Sequence, residues 1–395
     1  MNILNRTLKL TFGAAVLAAT LAACSTGSNT PAQSSNAGAP VATNAPQRSD
    51  VQRQPLARGL YELAYSAKQD AVFVASSGGF GADAAPSKVL RLNPETLQTV
   101  NEIGLERKAF GVVLDDQANR LYVGNTVDTS VTVVDTANNR VVGTVQLMEK
   151  VKNKDGKEAY THDLRELVVD SPRHRLYVTG HSAEGSVLFV VDTRTLKVLK
   201  TIPGLGKAKA PGLYLDAKNH RIFTSNLLGE VVIVDTRSLA VSRRIQTSAA
   251  QPMNLVFDNK TGRLFATDQG AENITKYMAK VAPDYKAEHP GNRVLVLDVK
   301  SGKEIESIPT DTGPLALKLD AQRNRLYVTN RMAGTVSVFN SSTYVLVDTI
   351  TLPDYPQSLA LDEGRNVLYV TVKNNKDKPK DAKEDVVRVT LPNLR

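Results

Sequence analysis

Two aromatic residues and an arginine, Tyr61, Phe110 and Arg165, take the same place in three successive copies of one repeated strand, and Arg107 and Lys108 stand just above Phe110, with Ala109 between. Flat aromatic faces next to cations suit unstacked nucleobases and their phosphates and do not require a duplex. Stacking contributes roughly 1–3 kcal/mol per base by alanine substitution. Five further polar residues fall in loops expected on the same side: the cations Lys207, Arg331 and Lys373, and the amides Asn125 and Asn226. The structural alternative is that Tyr61 and Phe110 plug the narrow end of a channel while Arg165 pairs with Glu166 or Glu62. Asn125 and Asn226 likewise end strands, where an Asx bond or left-handed backbone shapes a turn without any ligand.

Other chemistry is sparse. The histidines His162, His174, His181, His220 and His289 include no pair at metal-ligand spacing. The chain has no C-x-x-C-H haem site, no G-x-S-x-G elbow and no Gly-rich phosphate loop, and no nucleophile–base pair can be assembled from it. Asp268 and Glu272 with Asn226 would be the donors of a calcium-type site in a metal-dependent, lactonase-like propeller, but no second ring of carboxylates supports them. A non-catalytic protein without metal or cofactor is the expectation.

The elements that must position these residues come from a repeat. RLYVGN begins at Arg120, RLYVTG at Arg175, RIFTSN at Arg221, RLFATD at Arg263 and RLYVTN at Arg325. Aligning their third residue gives Phe73, Tyr122, Tyr177, Phe223, Phe265, Tyr327 and Tyr369. A strand ending at Ser66, Asp115, Asp170, Asp216, Asp258, Asp320 or Asp362 precedes each copy, and two more strands follow, as in SVTVVD and RVVGTVQL. Four short strands per repeat with polar turns read as the blade of an all-β propeller, and seven repeats give seven four-stranded blades. The last repeat has only three strands of its own. Because an open sheet edge invites aggregation, residues 50–56, DVQRQPL, are expected to supply the fourth strand and close the ring. Little helix is expected.

Loop lengths separate the two faces. The turns between first and second strands, such as DDQANR and DAQRNR, are uniformly short, as are those between third and fourth strands. Growth is confined to 78–86, 270–291 and 373–384, between second and third strands, and to 148–163 and 203–211, between blades. Both of those loop types emerge on one face, so that face is decorated and the other plain, and long loops tend to carry function. Loop 373–384 has five Lys against three acids, whereas 148–163 and 270–291 balance. Arg120, Arg175, Arg221, Arg263 and Arg325 recur at plain-face turns, which suggests a structural job. Arg331 breaks the repeat, since the other aligned copies put Thr126, His181, Leu227 and Gln269 there; Lys373 is the other cation at that place.

The amino terminus addresses the chain. MNILNRTLKL carries Arg6 and Lys9 without an acid and precedes the apolar TFGAAVLAATLAA, the pattern of a secretory signal too short for a comfortable membrane span. It ends in Leu21-Ala22-Ala23-Cys24, which resembles the lipobox of bacterial lipoproteins; Cys24 is the one cysteine in 395 residues. By that resemblance residues 1–23 are a signal peptide, Cys24 is acylated, and Ser25 after it favours the outer membrane of a Gram-negative periplasm. Residues 24–49 then form the anchor and a disordered linker, rich in Ser, Ala, Asn, Pro and Gly, with a reach of about 25–30 Å. The membrane is touched through the lipid alone. Loss of Arg6 and Lys9 lowers the net charge from +9 to +7, a basic balance that favours anionic partners.

Residues 50–395 also resemble a known family. The YVTN signature is that of YVTN-type β-propeller repeats in exported bacterial proteins. GLYELAYS at 59–66, AFGVVLD at 109–115, GNTVDTSVTVVD at 124–135, RELVVD at 165–170, RMAGTVSV at 331–338 and SLALDEGRNVLYVTVK at 358–373 are similar, in order, to the periplasmic YncE family of seven-bladed propellers. The resemblance implies single-stranded DNA binding and no catalytic activity. It departs from the family in its lipobox and in having no Trp, so any stacking made elsewhere through a Trp is absent. The leading expectation is a monomeric, lipid-anchored propeller binding single-stranded DNA through Tyr61, Lys108, Phe110, Asn125, Arg165, Lys207, Asn226, Arg331 and Lys373. The alternative is an envelope scaffold that meets a protein partner through 148–163 and 270–291, with Tyr277, Met278 and Tyr285 as contacts.

Overall fold

The structure, a computed structural model, describes residues 50–153 and 155–392. The expected signal peptide 1–23, the acylated Cys24 and the linker 24–49 lie outside the described residues. Those described belong to one unit, Gln47–Arg395. In it seven four-stranded antiparallel sheets follow one another along the chain. Blade one runs Leu60–Ser66, Ala71–Ser76, Ser87–Leu92 and Thr99–Leu105, each strand pairing with the next. Blades two to six repeat that meander. Blade seven takes Tyr355–Asp362, Val367–Lys373 and Glu384–Thr390 from the end of the chain and Asp50–Ala57 from its beginning. The closing strand pairs antiparallel from Asp50 opposite Thr390 to Ala57 opposite Glu384. Arg53 reinforces it, donating to Asp385 at 3.0 Å and to the Pro353 carbonyl at 2.7 Å.

The repeated hexapeptide has a residue-by-residue explanation. Its third position, Phe73, Tyr122, Tyr177, Phe223, Phe265, Tyr327 and Tyr369, is at most 2% exposed and fills the gap between neighbouring blades. The fifth position answers a defect in the sheet. In blades one, two, three, five and six the pairing of inner and second strands skips two residues, and in blade seven one. A bulge frees backbone groups and re-aims side chains. The freed N–H of Asn254 donates to Thr267 Oγ1 at 3.0 Å, and that hydroxyl donates to the Leu315 carbonyl of the next blade at 2.8 Å. Thr371 does the same for Ser358 N–H and the Tyr61 carbonyl, and Ser225 for Gly212 N–H and the Met253 carbonyl. The hydroxyl therefore satisfies a donor that would otherwise be buried unpaired and stitches one blade to its neighbour. At the sixth position, Asn330 donates to Thr335 and Ser337 of the third strand at 3.0 and 2.8 Å, as Asn125 does to Ser130 and Thr132.

Near the channel end of the inner strand two blades require glycine. A Cβ on Gly111 would stand 2.1 Å from the Arg165 carbonyl oxygen, and one on Gly212 would stand 2.2 Å from that of Met253. The inner strands approach too closely there for any side chain. The arginines that open the repeated strand are architectural: Arg120 pairs with Asp135 at 3.2 Å, Arg221 with Asp216 at 2.8 Å, and Arg263 with Asp298.

One expectation needs amendment. Loop 270–291, read as a lengthened turn, contains a ten-residue helix α1 (Glu272–Val281). Ile274, Tyr277, Met278 and Val281 recur at helical spacing and give it one apolar face, which packs with Leu227, Met253 and Leu315. Gln251 pins its start, donating to the Ala271 carbonyl and to Thr275 while accepting from Ala271 N–H. Loop 148–163 holds a two-residue hairpin, Val151–Lys152 against Glu158–Ala159.

Candidate functional site

Inner-strand residues of all seven blades line one central cavity, and the bulged positions of blades one to three carry Tyr61, Phe110 and Arg165 beside it. Tyr61 and Phe110 meet there with ring centroids 3.9 Å apart, tilted by 32°. Lys373 holds its ammonium 4.0 Å from the Tyr61 ring centre, donating to the Leu60 carbonyl at 2.9 Å and to Glu384 at 3.0 Å. Burial and the nearby Glu384 push the Tyr61 phenol upward. Arg331 lies over the Tyr355 ring at 5.1 Å and donates to Gln357 Oε1; burial pulls its guanidinium below the ordinary value. Tyr61, Phe110, Lys373 and Arg331 are thus brought into one cluster, half-buried and already partnered.

Arg165 faces the channel from blade three. It donates to Asn254 Oδ1 at 2.8 Å, and Asn254 in turn donates to Glu166 at 2.9 Å. Its Nε lies 3.6 Å from Glu166 Oε1. Glu62 accepts from Val112 N–H at 2.9 Å beside them. Burial first, and Glu166 second, push the Glu62 carboxyl well above the usual carboxylate range, so it holds a proton where exposed carboxyls do not. Behind this ring the channel is a cavity of about 570 Å³, lined among others by Glu62, Glu166, Asn254, Tyr214 and Lys318.

The remaining expected residues separate. Asn125 and Asn226 are fully buried; Asn226 donates to the Leu205 carbonyl and to Glu230 and accepts from Leu228 N–H. Their amides build turns. Lys108 donates to the Ser77 carbonyl at 2.8 Å and to the Ala85 carbonyl at 3.4 Å, tying blade two to loop 78–86 and the residue before it. Lys207 is exposed in loop 203–211. The donors of the calcium-type alternative are engaged elsewhere: Asp268 accepts from Gln251 N–H and pairs with Arg293 at 3.0 Å, while Glu272 pairs with Lys276 on α1. Among the described residues no group of three or more His, Cys, Asp or Glu is arranged to hold a metal ion.

A second feature of the decorated face was not anticipated. Loops 78–86 and 373–384 border a groove of about 460 Å³ between blades one and seven. Arg58, Lys373, Lys376, Lys378 and Lys380 line it, against Asp83 and Glu384. Arg58 is tied to Asp83 at 3.2 Å, Lys373 to Glu384, and Lys378 more loosely to Asp354 at 4.0 Å; the exposed Lys376, Lys378 and Lys380 are its outward cations. Phe80 stands in the same groove, 47% exposed. The lysines were legible in the charge of 373–384; Phe80 and Arg58 become partners of that loop only through ring closure.

Comparison with known proteins places the chain among relatives of similar length. It is 32% identical to the YncE protein of Salmonella typhimurium over 348 residues, which is 87% of this chain and 91% of that protein. The Escherichia coli K12 YncE protein is 31% identical over the same shares. No protein-family model matches. Among solved structures, hydrazine synthase of Kuenenia stuttgartiensis superposes with a TM-score of 0.64 over 84% of this chain and 95% of that one, at 13% identity, a likeness of fold alone.

Proposed function

The chain belongs to the YncE family of seven-bladed propellers, and from that membership we propose that it is an exported, lipid-anchored binding protein whose decorated face takes single-stranded nucleic acid. The observation that supports this most is the groove of Phe80 with Lys376, Lys378 and Lys380. An exposed aromatic face among outward cations offers a base a stacking platform and its phosphates a counter-charge, without the geometry a duplex requires. The Tyr61–Phe110–Lys373 cluster borders it, since Tyr61 and Lys373 line both features. Ring atoms there already contact one another, so the cluster serves as the rigid inner wall of the groove. Cys24 would hold the propeller at the envelope membrane.

Fluorescence anisotropy with labelled oligo-dT, alone and annealed to oligo-dA, at two salt concentrations tests the reading. Preferential, salt-sensitive binding of the single strand that drops with Phe80→Ala is the expected result. A flat response, or equal binding to the duplex, overturns it. The scaffold alternative draws on the exposed Val151 of the hairpin in 148–163; recovery of a stoichiometric protein partner alongside a flat oligonucleotide titration would favour it. Mass spectrometry of the mature amino terminus tests the anchor: acyl chains on Cys24 are expected, and Cys24→Ala should release the protein from the membrane fraction.

A further inference from the structure

A second cavity opens on the decorated face, apart from the basic groove, and it is built differently. Its volume is about 370 Å³, and its walls come from helix α1, inner-strand residues of blades two, three and five, and the loop residues Lys209, Pro211 and Leu227. Apolar side chains dominate the lining, among them Phe110, Leu164, Pro211, Leu227, Met253 and Ile274. A small number of polar groups converge on this apolar chamber: His181, Arg165, Lys209 and Tyr277, with Asp163 exposed at its edge. Pockets that bind small molecules have this composition, mostly apolar walls with a few placed polar groups.

The polar groups share an orientation toward acceptors. His181 accepts from Ala210 N–H at its Nδ1, 3.2 Å away, so the neutral ring carries its proton on Nε2 and offers a donor on the other side. Burial holds that imidazole neutral, with Arg165 and Lys209 acting in the same direction. The Tyr277 hydroxyl and Arg165 Nε are buried, and neither has a hydrogen-bond partner among the described residues, Arg165 Nε being 3.6 Å from Glu166. Buried donors are almost always satisfied, so the unpartnered Tyr277 hydroxyl in this apolar cavity points to an acceptor that binds there, with Arg165, ion-paired to Glu166, at its edge. Lys209 adds charge, its ammonium 5.2 Å from the Tyr277 ring centre. The walls are preformed, because Gln251 fixes the start of α1 and Tyr285 anchors the segment after it through the Ala249 carbonyl at 3.1 Å.

We propose that this cavity is a binding site for a small monocarboxylate with a flat apolar body, its carboxylate held by Lys209, Tyr277, His181 Nε2–H and Arg165. Net charge selects the class. Glu166 offsets much of Arg165, and Asp163 at the rim disfavours a dianion, so Lys209 leaves the site matched to one negative charge. The aromatic and aliphatic walls exclude a fully hydrated anion. The cavity shares Phe110 with the inner wall of the nucleic-acid groove, but the outward lysines of that reading lie on blade seven, so charge changes there separate the two sites.

The chain has no Trp, so an indole ligand can be followed by its own fluorescence against a tyrosine background. Indole-3-acetate is the probe, with neutral tryptophol and cationic tryptamine as its matched controls. Saturable anisotropy at one probe per chain is expected for indole-3-acetate, with tryptophol about tenfold weaker because a charge-assisted contact is lost and tryptamine unbound. Lys209→Met should weaken indole-3-acetate about tenfold, and Tyr277→Phe, which removes an unpaired hydroxyl and should leave the fold intact, should weaken it severalfold. Neutralising Lys376, Lys378 and Lys380 together should change nothing. No saturable change in the millimolar range, equal binding of the three probes, or indifference to both Lys209→Met and Tyr277→Phe overturns the proposal.

Discussion

Lys373 and Glu384 form an ion pair at 3.0 Å in which both side chains are nearly buried, 13% and 11% exposed. The pair joins the second and third strands of blade seven and reaches blade one as well: Glu384 accepts from Leu60 N–H at 2.7 Å, and Lys373 donates to the Leu60 carbonyl. One ion pair thus closes the backbone of the first blade onto the last. Removing one partner strands the other charge in the interior, at about 3–5 kcal/mol. Lys373→Met should therefore lower the unfolding free energy in urea by that amount with an unchanged slope. The double variant with Glu384→Gln should recover most of it, since the amide oxygen placed there can still accept from Leu60 N–H.

Two buried groups should give stability opposite pH slopes. Glu62 has its folded pKa raised above the ordinary 4.5, mainly by burial. The folded chain keeps a proton that the unfolded chain has lost, so the stability Glu62 contributes is complete below pH 4.5 and fades as pH rises toward its folded pKa. His181 has its folded pKa well below 6.5, again mainly by burial. The unfolded chain takes that proton first, so its contribution is present above pH 6.5 and is lost as pH falls. Each slope is at most about 1.4 kcal/mol per pH unit. Relative to wild type, Glu62→Gln should grow more stable as pH rises from about 5 to 6.5, and His181→Gln should grow less stable, measured by urea unfolding along that series.

Thr267 shows what the repeat motif maintains. Its hydroxyl accepts from Asn254 N–H and donates to the Leu315 carbonyl. Thr267→Val keeps the shape but leaves both backbone groups buried and unpaired, at about 1–3 kcal/mol for each. A loss of about 2–6 kcal/mol in unfolding free energy is expected, with Thr267→Ser losing far less.

If phosphates meet Lys376, Lys378 and Lys380, salt should report it. Each phosphate contact on a single strand contributes about −0.7 to the slope of log K against log salt. Replacing all three lysines by Gln should flatten the slope by about 2 while leaving the thermal midpoint unmoved, because none of the three supports the core.

The fold was legible because a ring needs equivalent wedges and the wedges share a hexapeptide. Closure by the first strand followed from counting strands in the last repeat. The role of the Thr and Asn inside the motif was not legible, because the bulge they answer appears only when inner and second strands are paired. Helix α1 was passed over although Ile274, Tyr277, Met278 and Val281 carried its period; loop length between two clear strands outweighed the pattern. His181 looked like a lone histidine without a companion. What makes it a site is its bond from Ala210 N–H in the next blade link and a cavity shared with Tyr277 from a helix nearly a hundred residues later, a placement no local spacing encodes. Strand alignment set Tyr61, Phe110 and Arg165 at equivalent positions of the inner strands, whereas the partners that occupy those side chains, Lys373, Asn254 and Glu166, come from elsewhere in the ring or from the neighbouring position.

Closure by the first strand also sets the order in which the chain can finish folding. Arg53 and Asp385 lie 332 residues apart in sequence, so their contact requires bringing together nearly the whole chain, and such distant pairings form late and slowly. Six blades can assemble from neighbouring strands as they emerge. The seventh waits for the final segment to leave whatever is producing or exporting it. Until then the strand Val367–Lys373 and the inner face of blade one lack their last covering sheet. A chain cut before Glu384 would be held in that unfinished state, with Asp50–Ala57 lacking its partner strand and open to proteases, so the ring in effect checks that its two distant strands are both present.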